Sequence, residues 1–297
     1  MRNTLNILIF VLLTINTMSA QESVDIFGIN FIHNPKVGLK NPMTPELENL
    51  DLNVTELDAF IRFPIQLKNE KTVLVNTLKW HFVKAPFDDL PNDRSFEANL
   101  HSIQYDFSIR HKLSDSWLTL VRLRPTLASN FKEPINGDDF FFQGMAAIKY
   151  LANDNMSYGG GVSYSNGFGE PKTIPILMLD YKTDHIKTSI LAPISASFKY
   201  QTKNVSYGVD AKLEGGQYHL GNDDNGGPVI TNNETVKFSR YNIGPVLDWN
   251  FDEHSRFEIS AGISLKRTLK VIDNSGVEAD YDLKNGLFFK TAYYFGK

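Results

Sequence analysis

Leu287–Phe295, LFFKTAYYF, decides how the chain is read. Side chains of an extended segment point alternately to its two sides. Leu287, Phe289, Thr291, Tyr293 and Phe295 would therefore share one face, and Phe288, Lys290, Ala292 and Tyr294 the other. The same two-residue period returns along the chain. In Leu57–Leu67 every odd position is apolar, while Asp58, Arg62 and Gln66 stand at even ones. In Leu100–His111, Ile103, Tyr105, Phe107 and Ile109 oppose Ser102, Gln104, Asp106, Ser108 and Arg110. Val205–Gly215 and Arg256–Val271 divide in the same way, with Asp210, Lys212 and Glu214, and Glu258 and Lys266, on the polar faces. In Trp117–Leu127, Trp117, Val121 and Leu123 oppose Arg122 and Arg124.

The remaining strands are expected at Ser23–Ile32, Thr72–Val83, Phe140–Leu151, Met156–Asn166, Ile174–Lys182 and Val236–Phe251. Ile186–Gln201 is one extended stretch broken by Pro193. Between strands, short turns such as Lys68–Lys71, Asn153–Asn155 and Asp252–Ser255 alternate with longer polar loops at Asn34–Asn53, Ala85–Ala98, Ser129–Asp139, Gly221–Glu234 and Asp273–Asp282. Short periplasmic turns facing long extracellular loops give this rhythm. Large rings crowd the short turns: Trp117, Tyr150, Tyr158, Tyr200, Tyr207, Trp249 and Phe251. An aromatic girdle at one membrane interface has this signature. A bacterial barrel holds an even number of strands, about 12–14 here. Splitting the long stretch at Pro193 gives the higher number; leaving Ser23–Ile32 out of the wall gives the lower. The fold expected is all-β, a closed antiparallel transmembrane β-barrel. A secreted all-β sandwich is the soluble alternative.

Composition narrows the classes. The first twenty residues resemble a secretory signal, with Arg2, an apolar run from Leu5 to Ile15, and Met18-Ser19-Ala20 ahead of Gln21. Residues 21–297 would then be one barrel domain carrying 29 basic and 34 acidic residues, a formal charge of −5, because Arg2 is the only charged residue removed from the 30 and 34 of the whole chain. That balance does not suit a nucleic-acid binder. No cysteine is present, so lipid anchors, disulfides and thiolate metal sites are excluded. No later segment is an apolar run long enough for a membrane helix. Barrel strands, being half polar, escape that criterion.

The terminal stretch resembles the C-terminal strand by which outer-membrane barrels are recognised for insertion, although Gly296 and Lys297 follow its last aromatic. Leu191-Ala192-Pro193, then Phe198-Lys199-Tyr200, then Leu213-Glu214-Gly215-Gly216-Gln217-Tyr218 resemble an uncharacterised outer-membrane β-barrel family of Gram-negative bacteria, a domain of unknown function. The resemblance implies the fold and an outer-membrane location. It brings no ligand, cofactor or catalytic residue. The partners it implies are outer-membrane lipid, the barrel-assembly machinery acting through Leu287–Phe295, and small solutes.

With the apolar faces toward lipid, the lumen would hold Asp58, Arg62, Asp106, Arg110, Arg122, Arg124, Asp210, Lys212, Glu214, Asp248, Glu258 and Lys266. Both signs occur, as in an ion-paired filling that keeps a narrow barrel rigid. Arg110, Arg122 and Arg124 on neighbouring strands would also make an anion-attracting ladder. The expected function is a narrow pore or binding barrel for small solutes, or a structural envelope protein with a plugged interior. No enzyme, cofactor or metal is expected. The alternative is a barrel-type hydrolase acting on lipid or peptide, for which His101-Ser102 and His254-Ser255 are the nearest pairs, yet adjacent strand residues face opposite ways. Asn222–Gly227 lacks the spacing of a calcium loop. Gly159-Gly160-Gly161 lies in a strand pattern, where glycines let a wall bend.

Overall fold

The computed structural model describes residues 24–40, 51–90, 94–221, 233–273, 276 and 278–296. The expected signal segment, the whole acidic stretch Asn222–Gly227, and part of the loop holding Pro42 and Pro45 lie outside the described residues. The first five strands are β1 (Asp25–Gly38), β2 (Asp51–Gln66), β3 (Thr72–Leu90), β4 (Arg94–Lys112) and β5 (Trp117–Ser129). Next come β6 (Phe140–Asn153), β7 (Met156–Ser165), β8 (Lys172–Lys182), β9 (Ile186–Ala192) and β10 (Ser195–Gln201). The chain ends with β11 (Val205–His219), β12 (Asn233–Asn250), β13 (Ser255–Asp273), β14 (Glu278–Asp282) and β15 (Gly286–Gly296).

From β1 to β14 each strand pairs antiparallel with the next, β13 pairs also with β15, and β1 pairs with β15 to close the ring. β14 and β15 follow one another along the same edge of β13, β14 opposite Thr268–Ile272 and β15 opposite Ser255–Ser264. They are one wall position, so the barrel has fourteen strands. Pro193 supplies the count: β9 and β10, seven residues each, form a hairpin around it. Both ends of the barrel domain lie at the rim that carries the short turns, with Asp25 opposite Gly296.

The alternation read from the sequence is the inside–outside alternation of the wall. Phe63, Ile103, Tyr105, Val209, Leu247 and Ile263 are among the large apolar side chains exposed on the outer surface. The neighbouring positions Asp58, Ser102, Asp248, Glu258 and Ser264 are buried inside. At the short-turn rim, rings meet across strand pairs in tilted contacts: Trp117 with Tyr150 at 5.1 Å, Tyr150 with Tyr158 at 5.5 Å and Tyr200 with Tyr207 at 5.5 Å. On β7, Gly159 and Gly161 face inward, where the wall curls tightly; a Cβ on either would sit 2.1 Å from a carbonyl oxygen of β6. This is the corner-turning use of glycine.

Three features of the upper rim differ from the sequence reading. The stretches read as loops at Asn34–Asn53 and Ala85–Ala98 are in large part strand: β1 runs to Gly38, β2 starts at Asp51, and β3 and β4 pair up to Leu90 and Arg94. Proline and aspartate there suggested turns, but the strands continue, and their inner faces pack an apolar core. β11 also parts from β10 while staying paired with β12. Its pairing with β10 stops at Lys212, and His219 pairs instead with Ser129 of β5 in parallel. This pinch encloses an apolar core containing Leu52, Val54, Val83, Leu100, Ala128 and Tyr218. Finally, β13 carries a bulge opposite Arg240, with Lys266 at φ 49°. The extra residue reverses the side-chain parity. Lys266, expected in the lumen, is exposed, and Arg267 is buried in its place.

Candidate functional site

The lumen below the apolar core is two connected chambers. The lower one, about 580 Å³, lies toward the short-turn rim. The upper one, about 400 Å³, lies beneath the core. Asp58, Lys79, Gln104, Arg122, Arg124 and Lys212 line both. Above them, the core holds only a small apolar void of about 50 Å³ around Leu52, Val83 and Leu100.

The residues proposed from sequence fall as follows. Asp58 meets Lys79 at 2.8 Å and His81 at 2.5 Å. Asp106 takes two hydrogen bonds from Arg124, at 2.7 and 3.0 Å, and has Arg122 at 3.7 Å. Asp210 accepts from Ser197 at 2.6 Å and faces Lys199 at 3.6 Å. Lys212 pairs with Glu214 at 3.3 Å, and Glu258 with Lys290 at 2.7 Å. Arg62 donates to Thr77 and to the Asp25 carbonyl, each at 3.3 Å, and lies over the Phe60 ring. Arg110 lines the lower chamber and, among the described residues, has no carboxylate within ion-pair distance. The structure thus brings Arg62, Arg110, Arg122 and Arg124 to one chamber on β2, β4 and β5. Lys266 stands apart from it.

Counting the lower lining gives eight cations (Arg62, Lys79, Arg110, Arg122, Arg124, Lys212, Arg256 and Lys290) against three carboxylates (Asp25, Asp58 and Asp106). Glu214 and Glu258 pair with Lys212 and Lys290 from just outside that lining, which brings the excess from five positive charges to three; the whole chain is net acidic, so this excess is local. A cleft of one sign inside a low-dielectric wall focuses its field on solutes of the other sign.

Other residues that hold the interior together had weaker sequence signals. Arg240 of β12 reaches Glu56 of β2, and it bonds Glu214 at 3.1 Å. Asn242 donates to the same Glu214 at 2.7 Å, and Asn34 to Glu56 at 3.5 Å. Arg240, Glu56 and Asn34 are almost fully buried. They form a chord across the barrel just below the apolar core. A second network sits lower: Lys199 meets Asp248 at 2.8 Å, Ser206 donates to Asp248 at 2.9 Å, and Arg256 meets Asp25 at 2.9 Å. Arg240 and Lys199 stand at inward positions of their strands, and the alternation could have identified them. Their partners lie on distant strands and could not be read.

The pinch is fastened by a buried latch. Asp139, in the 3-10 turn Gly137–Asp139 of the β5–β6 loop, lies 2.8 Å from His219 Nδ1. Asn130 and Gly221 exchange two hydrogen bonds, of 2.9 and 3.0 Å, between the same segments. Burial opposes the charge on Asp139. The Asn136 N–H, His219 and the Ser129 hydroxyl outweigh that and hold its carboxyl below the ordinary value. The carboxylate is the shared acceptor, so the Ser–His contact of a hydrolytic relay is not what this geometry builds. At the other pair, His101 contacts the Phe82 ring outside at 4.9 Å, tilted by 32°, while Ser102 is buried inside.

A family model described as "Domain of unknown function (DUF6268)" matches residues 16–297. The chain belongs to the DUF6268 family. No curated protein matches this family member. Among solved structures it is similar to a deltaS2 mutant of the TodX monoaromatic hydrocarbon channel, at 8% identity and TM-score 0.48, covering 94% of this chain and 91% of that one. It is similar to the COG4313 outer membrane channel from Pseudomonas putida F1, at 9% identity and TM-score 0.43, covering 94% and 98%. It is also similar to the NanC porin, at 8% identity and TM-score 0.37, covering 90% and 98%.

Proposed function

We propose that this DUF6268 barrel sits in the bacterial outer membrane, short turns toward the periplasm, and binds small anionic solutes in its lumen. The observation that carries the reading is the cationic lower chamber, eight cations against three carboxylates in its lining, with Arg110 lacking an ion-pair partner among the described residues. The apolar exterior supports insertion in lipid, and the ring contacts at the short-turn rim support the orientation. The apolar core and the Arg240 chord favour a resting state closed at the upper end. They equally support the second reading, a plugged envelope protein with a structural role. No hydrolytic role is proposed.

Anion titration of the purified barrel in lipid nanodiscs separates the two. Citrate and inorganic phosphate are expected to bind, more weakly as salt rises, and Arg62→Gln with Arg110→Gln is expected to weaken binding by at least tenfold. Binding that ignores this double substitution, or none for either anion, would leave the structural reading.

A further inference from the structure

The barrel wall is interrupted on one side, where a short hairpin leaves the upper edges of β8 and β11 unpaired. β9 and β10 are seven residues each. At about 3.3 Å per residue and a tilt near 40°, seven residues raise the wall by about 18 Å, short of an apolar band about 25 Å tall. Above that hairpin their neighbours keep only their far-side partners, β8 with β7 and β11 with β12. β8 pairs with β9 only from Leu177 down, and β11 with β10 only from Lys212 down. Above the Pro193 turn, β11 bends inward to the latch on β5 and leaves a gap.

Unpaired strand edges are not tolerated in hydrocarbon unless protein covers them. The cover here is the β7–β8 loop, which lies against the outer face of the displaced strands. A Cβ built on outward-facing Gly215 would stand 2.4 Å from the Gly167 carbonyl oxygen, and one on Gly169 would stand 3.6 Å from Ser239 Oγ. Loop and β11 overlap like two shutters, and the upper chamber passes between them. Both faces of β11 line that one cavity: Lys212 and Glu214 from inside, Leu213 and Gln217 from outside. Phe168, Leu191 and Leu213 make its mouth apolar, whereas Lys79, Arg122 and Arg124 charge the far wall. Two buried atoms in its lining, Gln217 Oε1 and Thr126 Oγ1, have no hydrogen-bond partner among the described residues.

We infer that the passage between the Asn166–Pro171 loop and the β11 edge is a lateral portal for an amphiphile with an acidic head and a single apolar tail. The head enters the charged chamber while the tail crosses Phe168, Leu191 and Leu213 toward the bilayer. This rests on the anion-binding reading for the head; the tail's route rests only on the wall.

The test uses the full-length barrel in phosphatidylethanolamine/phosphatidylglycerol nanodiscs and dodecyl phosphate carrying a diazirine at its tail end. Photolysis and peptide mapping are expected to place adducts on Leu191, Leu213 and Phe168. Excess unlabelled dodecyl phosphate should displace these at least fivefold, leaving adducts on lipid-facing Val209 and Leu247 unchanged. Ser195→Trp, which fills the lumen beside Leu191, should cut the portal adducts at least fivefold, with folding checked by heat-modifiable gel mobility. A diazirine dodecanol should label the portal at least fivefold less. Adducts confined to the outer band, or portal adducts indifferent to competitor, would overturn the portal. Equal portal labelling by the neutral probe would overturn the acidic head while leaving the route. Failure of the anion reading shows separately, in the Arg62→Gln, Arg110→Gln titration.

Discussion

Replacing Arg240 by methionine removes the centre of the chord across the lumen. Its guanidinium serves Glu56 and Glu214, and the three side chains are 4%, 3% and 12% exposed, so water can screen little of what is lost. Breaking a buried ion pair from one side costs about 3–5 kcal/mol, because the abandoned charge stays desolvated. Here two carboxylates are abandoned, but neither completely. Glu214 keeps Asn242 at 2.7 Å and Lys212 at 3.3 Å, and Glu56 keeps Asn34 at 3.5 Å. The expected loss is therefore about 3 kcal/mol, the lower end of that range. Adding Glu56→Gln removes the more deeply buried charge and should recover about half, a coupling of more than 1 kcal/mol. Urea unfolding in phosphatidylcholine vesicles, followed by tryptophan fluorescence and gel mobility, reads both. A loss below about 1 kcal/mol for Arg240→Met, or additive effects in the double variant, would refute the account of the chord as a coupled, desolvated network.

Four further outcomes are expected. Lys266→Gly should stabilise the barrel, since the left-handed conformation at φ 49° costs a non-glycine residue about 1 kcal/mol, whereas Lys266→Val should destabilise it in the same unfolding assay. Gly208→Ala should lower the yield of folded barrel in refolding trials, because its Cβ would lie 1.9 Å from the Phe198 carbonyl oxygen. The latch should weaken in acid. The Asp139 carboxyl is held below its ordinary value of 3.8, so its stabilisation is complete above that pH and is lost as pH falls through the lower folded value. The exchange protection factors of Asn130 and Gly221, corrected for the intrinsic pH dependence, should accordingly fall below about pH 4, and Asp139→Asn should make them independent of pH in that range. Deleting the chain from Leu287 onward should abolish insertion by the assembly machinery, measured as loss of heat-modifiable protein from the outer-membrane fraction.

The membrane-height wall was legible because lipid outside and a filled lumen inside impose opposite polarity on alternate residues, as in Leu57–Leu67 and Leu100–His111. Pro193 marked a turn for the same local reason, and the strand count followed. The upper rim was not legible. There Val83 and Leu100 keep the inward parity of Lys79 and Ser102, yet the inward face changes from polar to apolar, where the strand ends pack an apolar core. The β5–β11 contact joins segments about ninety residues apart through Asn130 and Gly221, and no local pattern announces it. Lys266 failed because a one-residue bulge resets parity without any proline or glycine to signal it. Within the site, inward positions could be read but partners could not. Asp106 meets Arg124 within one hairpin, while Glu56 finds Arg240 at a separation of 184 residues.

The most direct test of the central claim is a nitroxide scan along β13. The chain has no cysteine, so single cysteines can be placed from Phe257 to Leu269 and spin-labelled in lipid vesicles. Oxygen accessibility should peak at Phe257, Ile259 and Ile263 and fall at Glu258, Ser260 and Ser264, then shift parity at the bulge so that Arg267 and Leu269 are protected. Accessibility that does not alternate, or that is higher at Ser264 than at Ile263, would contradict a wall with its apolar face in lipid and its charged face in an enclosed lumen.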